Sequence, residues 1–305
     1  MDVAKLLEKQ AQAHPGNPAI IFKDRAVSFL ELKTLSFKLA QSLLALGVQK
    51  GDKVGVYLPN CPEYAISYLG TWCSGATCVP LDFMLTEEEL VSCFSHAQIK
   101  ALILKRKSGI SLETLRDKIP SLKLVIVCQE EAIDTLNFEG LLQQAQDTAP
   151  AVKPGDKDYA IIFYTSGTTG RPKGVLVSYL QLGAPPKAMD FFVDLTEKDT
   201  VLCAVPLSHL GGLIYLQNCI AFGLSVVLME RFIPLEFLRN IPKYKVTCFW
   251  IVPSMYYAFL QLKEFESFDL SSLRWMVTFG ASNSPDALRR FHQFCPKAHL
   301  LNGWA

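Results

Sequence analysis

Short apolar, β-rich runs alternate with helix-like segments from one end of the chain to the other, and this alternation most restricts the fold open to it. The runs lie at 19–22, 26–27, 52–58, 78–81, 101–104, 122–127, 159–164, 175–177, 201–205, 224–229, 246–252, 274–279 and 300–301. Continuous apolar runs of about four to eight residues read as strands buried on both faces. The first two flank Lys23-Asp24-Arg25 and read as a hairpin. Helical segments fall between the others. Residues 1–14 are amphipathic and stop at His14-Pro15-Gly16. Ser28 with Glu31 forms a capping box for a helix reaching Leu46, and Gly47 closes it. Pro62 to Trp72 and Gly140 to Gln146 read as helices, and Thr86 with Glu89 caps another. Ser284-Pro285-Asp286 opens one more, with an N-cap serine and a proline at the first helical position. Strands separated by helices predict α/β layers with mostly parallel pairing. A length of 305 residues suggests two packed units, drawn here as 1–180 and 181–305, and 50% hydrophobic content is ample for their cores.

Charge and cysteine usage narrow the function. A net charge of +1 gives no sign of a nucleic-acid surface. The nine cysteines contain no C-x-x-C pair and sit mostly in apolar runs, as small hydrophobes do. That usage fits a reducing compartment, the cytoplasm. Residues 1–8 carry early charge and lack the apolar core of a signal peptide. Residues 210–229 carry no formal charge over 20 positions, enough in length to span a bilayer. Gly211, Gly212, Gln217, Asn218 and Gly223 interrupt them, which favours a buried helix followed by a core strand over a span.

The stretch Tyr164-Thr165-Ser166-Gly167-Thr168-Thr169-Gly170-Arg171-Pro172-Lys173-Gly174 reads as a loop between the runs 159–164 and 175–177, and Ala149–Asp156 is the connector that leads into this part of the chain. Its three glycines permit positive φ and close backbone approach, and successive N–H groups in such a turn make an anion-binding concavity. Four hydroxyls, Arg171 and Lys173 add donors and positive charge, a set that suits a polyphosphate. It is not a Walker loop, because Pro172 precedes the lysine, Gly174 follows it, and strand rather than helix comes next. The other reading of the residues is a polar surface turn.

This stretch resembles, almost letter for letter, the signature loop of the adenylate-forming (AMP-binding) enzymes, a superfamily that includes acyl-CoA synthetases, aryl-CoA ligases, luciferases and peptide-synthetase adenylation domains. The resemblance covers essentially all of this chain and corresponds to the N-terminal portion of the family's architecture. It implies two layered α/β subdomains of the N-terminal domain, without the mobile C-terminal domain. It also implies that Thr165, Ser166, Gly167, Thr168, Thr169, Gly170 and Lys173 hold the phosphates of ATP.

Three further segments carry the likeness. Pro206-Leu207-Ser208-His209-Leu210-Gly211-Gly212 is similar to the family's Pro-x-Phe-His-x-x-Gly segment, with Ser208 in the aromatic slot. His209 alone would read as a structural histidine; the likeness sets it beside the acyl and phosphate sites. Thr278-Phe279-Gly280-Ala281-Ser282 is similar to a Gly-Gly-Ala segment that lines the adenine pocket, with Phe279 replacing the first glycine, and otherwise reads as a strand-to-helix turn. Asn302-Gly303-Trp304-Ala305 looks like the start of an aromatic-Gly-x-Thr-Glu motif, with Trp304 as the ring that stacks on adenine. That motif's threonine and magnesium-holding glutamate, the ribose-binding aspartate and the C-terminal lysine would follow Ala305, so no residue here is assigned as a metal ligand. Gly51 to Asp82 resembles an early family region with a mainly structural role. Phe249, Trp250, Tyr256 and Tyr257 read as core, with an acyl tunnel as the alternative.

The resemblance implies activation of a carboxylic acid with ATP and Mg2+ to an acyl-adenylate, then transfer to coenzyme A, with His209 and Lys173 as the catalytic residues. The Phe-Asp-x-Ser segment of amino-acid-activating relatives is absent, which favours a fatty or other simple acid. Two other readings remain: a truncated, split or decayed homologue that binds nucleotide without turnover, needing a C-terminal domain or partner chain, and an adenylation unit that loads a carrier protein.

Overall fold

The computed structural model describes residues 1–130, 132–165 and 173–303. The chain opens with α1 (Val3–Ala13), the hairpin β1 (Pro18–Phe22) and β2 (Arg25–Ser28), and α2 (Phe29–Ala45). Lys23 and Asp24 both take positive φ, the backbone a tight two-residue hairpin turn requires. The Ser28–Glu31 capping box forms reciprocally and fixes the start of α2. There follow β3 (Lys53–Tyr57), α3 (Pro62–Cys73), β4 (Thr77–Pro80), α4 (Glu87–Ala97), β5 (Ala101–Leu104), α5 (Leu112–Lys118), β6 (Leu124–Val127), β7 (Leu136–Asn137) and α6 (Phe138–Gln144). Strands β8 (Tyr159–Thr165) and β9 (Lys173–Ser178) flank the glycine-rich stretch. Beyond them lie α7 (Ala184–Val193), β10 (Thr200–Cys203), α8 (Leu210–Phe222), β11 (Ser225–Leu228), α9 (Pro234–Tyr244), β12 (Cys248–Ile251), α10 (Pro253–Leu260), β13 (Trp275–Thr278), α11 (Pro285–His292) and β14 (His299–Asn302).

Among the described residues the strands form two seven-stranded sheets, ordered β14-β13-β12-β10-β11-β1-β2 and β7-β6-β5-β3-β4-β8-β9. Every pairing is parallel except the edge hairpins β1–β2 and β8–β9. The α/β layering and largely parallel pairing expected from the alternation are therefore present. A cut at 180 separates β3–β9 from β10–β14, yet β1 and β2 sit across it, in the same sheet as β10–β14. Ile20 and Ile21 pair with Val226 and Val227 of β11, so the apolar first hairpin completes the later sheet.

One hydrophobic core runs from Leu7 of α1 through Trp72 of α3 to Phe237 of α9, on both faces of the sheet that holds β12, and a smaller one lies under α4 and α5. All nine cysteines are buried free thiols within this packing, and burial alone pushes the Cys203 and Cys219 thiols far up. Residues 210–229 resolve into α8, a turn through Gly223 in the left-handed region, and β11. Among the described residues no helix is long and apolar enough to cross a membrane. Phe249, Trp250 and Tyr256 are buried as core, whereas Tyr257 is exposed.

Candidate functional site

In parallel sheets the loops that follow the strands gather at one end, and ligand crevices form outside those carboxyl ends. Here two sheets bring their carboxyl ends to one seam. The segment after β10, Pro206 to Gly212, crosses that seam and is held in detail. Asn60, which follows β3 in the other sheet, donates through Nδ2 to the carbonyls of Val205 and Met229 at 2.9 and 3.0 Å. Its Oδ1 accepts from the Leu207 N–H at 2.8 Å, and Tyr68 donates to the Leu207 carbonyl at 2.8 Å. A buried amide with all its partners supplied by another sheet's loops acts as a clasp.

The clasped turn delivers His209 as the N-cap residue of α8, in extended conformation. Its Nε2 lies 3.0 Å from Oδ2 of Asp82, the residue two past the end of β4, and the other Asp82 oxygen accepts from the Met84 N–H at 2.8 Å. The hydrogen bond from His209 leads the causes that hold the Asp82 carboxyl below its usual range. An ionised carboxylate only accepts, so Nε2 carries the proton and Nδ1 is the ring nitrogen not committed to Asp82. Because the folded value is depressed, the pair's stabilisation is complete above the ordinary carboxylate value of about 3.9 and disappears as pH falls through the lower folded value. A 13C titration of the Asp82 carboxyl should therefore show a midpoint below the ordinary range that rises in His209→Ala. An unmoved midpoint would refute the pairing.

Two glycines shape the turn into α8. A Cβ on Gly212 would overlap the carbonyl oxygen of Pro206 and come within 2.6 Å of its carbon. A Cβ on Gly211 would meet the Phe279 ring at 2.7 Å, so the ring at the end of β13 lies directly over the start of α8. From the same side, Trp250 of β12 donates to the Gly211 carbonyl at 3.2 Å. Tyr215 of α8 stacks on that indole at 3.8 Å and exchanges hydrogen bonds with the Trp250 backbone at 2.6 and 2.8 Å.

The segments after β13 and β14 meet as well. Gly280 takes φ +86°, and the Gly303 N–H donates to the Thr278 carbonyl at 2.7 Å. Asn283 bridges, accepting from the Thr278 hydroxyl and donating to Oδ1 of Asn302, both at 3.0 Å. Ala281, Ser282 and Asn302 are exposed at this end. The structure thus brings Gly280, Ala281, Ser282, Asn302 and Gly303 to one place, with Phe279 linking them to the His209 turn.

Thr165 and Lys173 are the last pair of the β8–β9 hairpin before its connecting loop, and both are exposed. Cys78 of β4 is in register with Ile161 of β8, so Thr165, four residues on, is level with Asp82. The base of the glycine-rich stretch therefore rises at the same end of the sheet as the His209–Asp82 pair. Tyr164 braces that base with its hydroxyl 2.6 Å from Nδ1 of His96. Ser166, Gly167, Thr168, Thr169 and Gly170, with Trp304, lie outside the described residues.

Asp82, Asn60 and Asn283 were not assigned to the site by sequence, and Phe279 was read only as a replacement for a glycine. A signal existed for the first two, since each follows closely on an apolar strand, where crevice residues of parallel sheets come from. Nothing in the sequence pairs Asn283 with Asn302. Among the described residues no cluster of three or more His, Cys, Asp or Glu side chains could hold a metal ion. Magnesium therefore has no protein cradle among the described residues.

The family model for "AMP-binding enzyme" matches residues 7–305. The chain belongs to the AMP-binding enzyme family. Within that family, a long-chain-fatty-acid–CoA ligase of Bacillus subtilis (strain 168) is 30% identical, over 94% of this chain and 57% of the relative. A 4-coumarate–CoA ligase of Petroselinum crispum is 28% identical, over 91% of this chain and 52% of the relative. The chain thus spans about half the length of these curated relatives of the AMP-binding family. Two solved structures share the fold over the whole chain. The N-terminal domain of FACL13 from Mycobacterium tuberculosis aligns with a TM-score of 0.91 at 24% identity, over 75% of that chain. An anthranilate CoA ligase in complex with anthranoyl-AMP aligns with a TM-score of 0.92 at 24% identity, over 60% of that chain.

Proposed function

We propose that this chain is the nucleotide- and acid-binding part of an ATP-dependent acid–thiol ligase, an AMP-forming acyl-CoA synthetase. The observation that carries the reading is the gathering of the His209–Asp82 pair, the Gly280 and Gly303 segments and the base of the glycine-rich hairpin at the carboxyl ends of both sheets. The names of its relatives, ligases that join fatty and aromatic acids to coenzyme A, support the same class. A simple carboxylic acid, probed first as a fatty acid, is the proposed substrate.

In the reaction so assigned, a carboxylate oxygen attacks the α-phosphorus of ATP, the bond to the β-phosphate oxygen breaks, and pyrophosphate leaves. The thiol of coenzyme A then attacks the acyl carbon, loses its proton, and AMP departs. Charge grows on the departing oxygens, so fixed donors aimed there favour the transition state. Thr165 and Lys173 stand where the glycine-rich stretch leaves and rejoins the sheet, suited to the β- and γ-phosphates. The exposed segments after β13 and β14, Gly280-Ala281-Ser282 and Asn302-Gly303, are proposed for adenine. His209 would face the reacting carboxylate, with Asp82 fixing its ring. Magnesium would enter bound to the nucleotide phosphates.

Lys173→Ala should weaken ATP binding by roughly ten- to a hundredfold, the loss of one charge-assisted contact of about 1.5–3 kcal/mol. Isothermal titration of the variant against the parent chain measures this, and equal affinities would remove Lys173 from the phosphate site. Fatty-acid-dependent exchange of pyrophosphate into ATP tests the reaction itself.

A further inference from the structure

The strand that leads into the glycine-rich stretch outruns its neighbour in the sheet. Among the described residues β8 is in register with β4 at Ile161 and Cys78, and its next four residues find their partners on β9, the edge strand. β9 gives little support in return, because Lys173, Val175 and Leu176 are exposed. The last two pairs, Tyr164 with Gly174 and Thr165 with Lys173, therefore need a hold from outside the hairpin. α4 supplies it. His96, in the last turn of that helix, places Nδ1 2.6 Å from the Tyr164 hydroxyl, and the two rings meet edge-on at 5.8 Å. Among the described residues this is the side-chain hydrogen bond that ties these two pairs to another element. The Tyr164 ring also covers the residue opposite it, since a Cβ on Gly174 would stand 3.5 Å from its Cζ and 3.0 Å from Cγ2 of Ile162. One side chain thus fixes both stems of the stretch, and His96 fixes that side chain. Burial first, and the nearby Cys93 second, push the Tyr164 hydroxyl up to about 12, so it keeps its proton at neutral pH and can donate or accept. A neutral imidazole accepts from it at Nδ1 and a protonated one donates to it, so the contact persists in either state of the ring.

We infer that His96 is a positioning residue for the phosphate site, acting through Tyr164 to set where Thr165 and Lys173 stand. The inference rests on the reading of Lys173 as a phosphate contact. A lysine is a point charge on a flexible stem, so the fold controls its reach chiefly by fixing where the stem begins. A hairpin end released from α4 samples positions that do not bind, and the apparent affinity falls with the fraction that stays competent. Losing one neutral hydrogen bond moves such an equilibrium by roughly two- to tenfold. His96 acts by holding the tyrosine and not by its own charge.

Isothermal titration with ATP, pyrophosphate and adenosine tests this. His96→Ala and Tyr164→Phe should each weaken ATP and pyrophosphate binding roughly two- to tenfold and leave adenosine at the parent affinity. The double variant should lose no more than either single one, because both remove the same contact. His96→Asn, whose side-chain amide reaches the place of Nδ1 through the same number of bonds, should restore the parent affinities. A merely structural role would lower adenosine binding along with that of the phosphates, and would overturn the inference. So would single variants that bind ATP as the parent does, or additive losses in the double variant. A His96→Asn variant as weak as His96→Ala would also overturn it, by assigning the effect to the imidazole itself. In each of these cases the parent chain still binds ATP, and the ligase reading stands. A parent chain that binds neither ATP nor pyrophosphate would remove the ligase reading, and this inference with it.

Discussion

Gly212→Ala should collapse the turn that carries His209, and it should do so far more severely than Gly211→Ala one residue earlier. The two positions differ in what the added methyl group meets. At Gly212 the obstacle is backbone, the Pro206 carbonyl and the Leu207 Cα at 2.8 Å. Those atoms belong to a turn already tied by the His209 N–H to the Pro206 carbonyl at 3.1 Å and by Asn60 to Leu207. Nothing there can move without breaking hydrogen bonds at the seam. At Gly211 the obstacle is the far edge of the Phe279 ring, which can swing. Overpacking costs about 1–3 kcal/mol when side chains can adjust, and Gly212→Ala should lie at or above the top of that range. Urea unfolding of both variants measures the difference, and the Asp82 carboxyl titration reports whether His209 still reaches its partner. Equal midpoints for the two variants would mean the turn relaxes freely and that its geometry is not specified by this glycine.

Much of the architecture was legible because strands and caps announce themselves locally. The Ser28–Glu31 and Thr86–Glu89 capping boxes form as their spacing suggests, and each apolar run became a strand within a residue or two. The α-helices that went unread are α5, of seven residues, and α7, α9 and α10, whose prolines lack the side-chain cap that marked Pro285. Pro185, Pro234 and Pro253 sit in the first turns of α7, α9 and α10, where their missing N–H costs nothing, and Pro242 lies inside α9 near its end. Read from sequence, those prolines look like breaks. The first hairpin's place was also hidden, since nothing local in Ala19 to Val27 distinguishes an edge beside β4 from one beside β11. The site divided in the same way. His209 and the glycine-rich hairpin stand out by composition, but Asp82 lies 127 positions before His209. Only the convergence of two sheets makes them neighbours.

That convergence can be tested at its clasp. Asn60→Ala should be among the most damaging single truncations in the molecule. Asn60 is 5% exposed, and its one side chain satisfies two carbonyls and one N–H from the loops after β10 and β11. Removing it leaves three buried backbone groups without that partner, at about 1–3 kcal/mol for each group left unsatisfied. A total of roughly 3–6 kcal/mol follows if water recovers part of the loss, a large fraction of a typical domain's 5–15 kcal/mol. Asn60→Asp separates shape from hydrogen bonding. The carboxylate keeps the acceptor for the Leu207 N–H but faces the Val205 and Met229 carbonyls with oxygen instead of N–H, so it should destabilise strongly despite its matched size. The damage should also be directional. Loops on both sides of the seam should lose amide exchange protection first, before the β5–β6 pair, which Asn60 does not touch. If exchange rises uniformly instead, Asn60 stabilises the fold as a whole and the two sheets do not depend on it for their alignment. If protection falls at Leu207 and around Asp82 together, the pairing of His209 with Asp82 is a consequence of the clasp, and the geometry of the proposed site is set from β3.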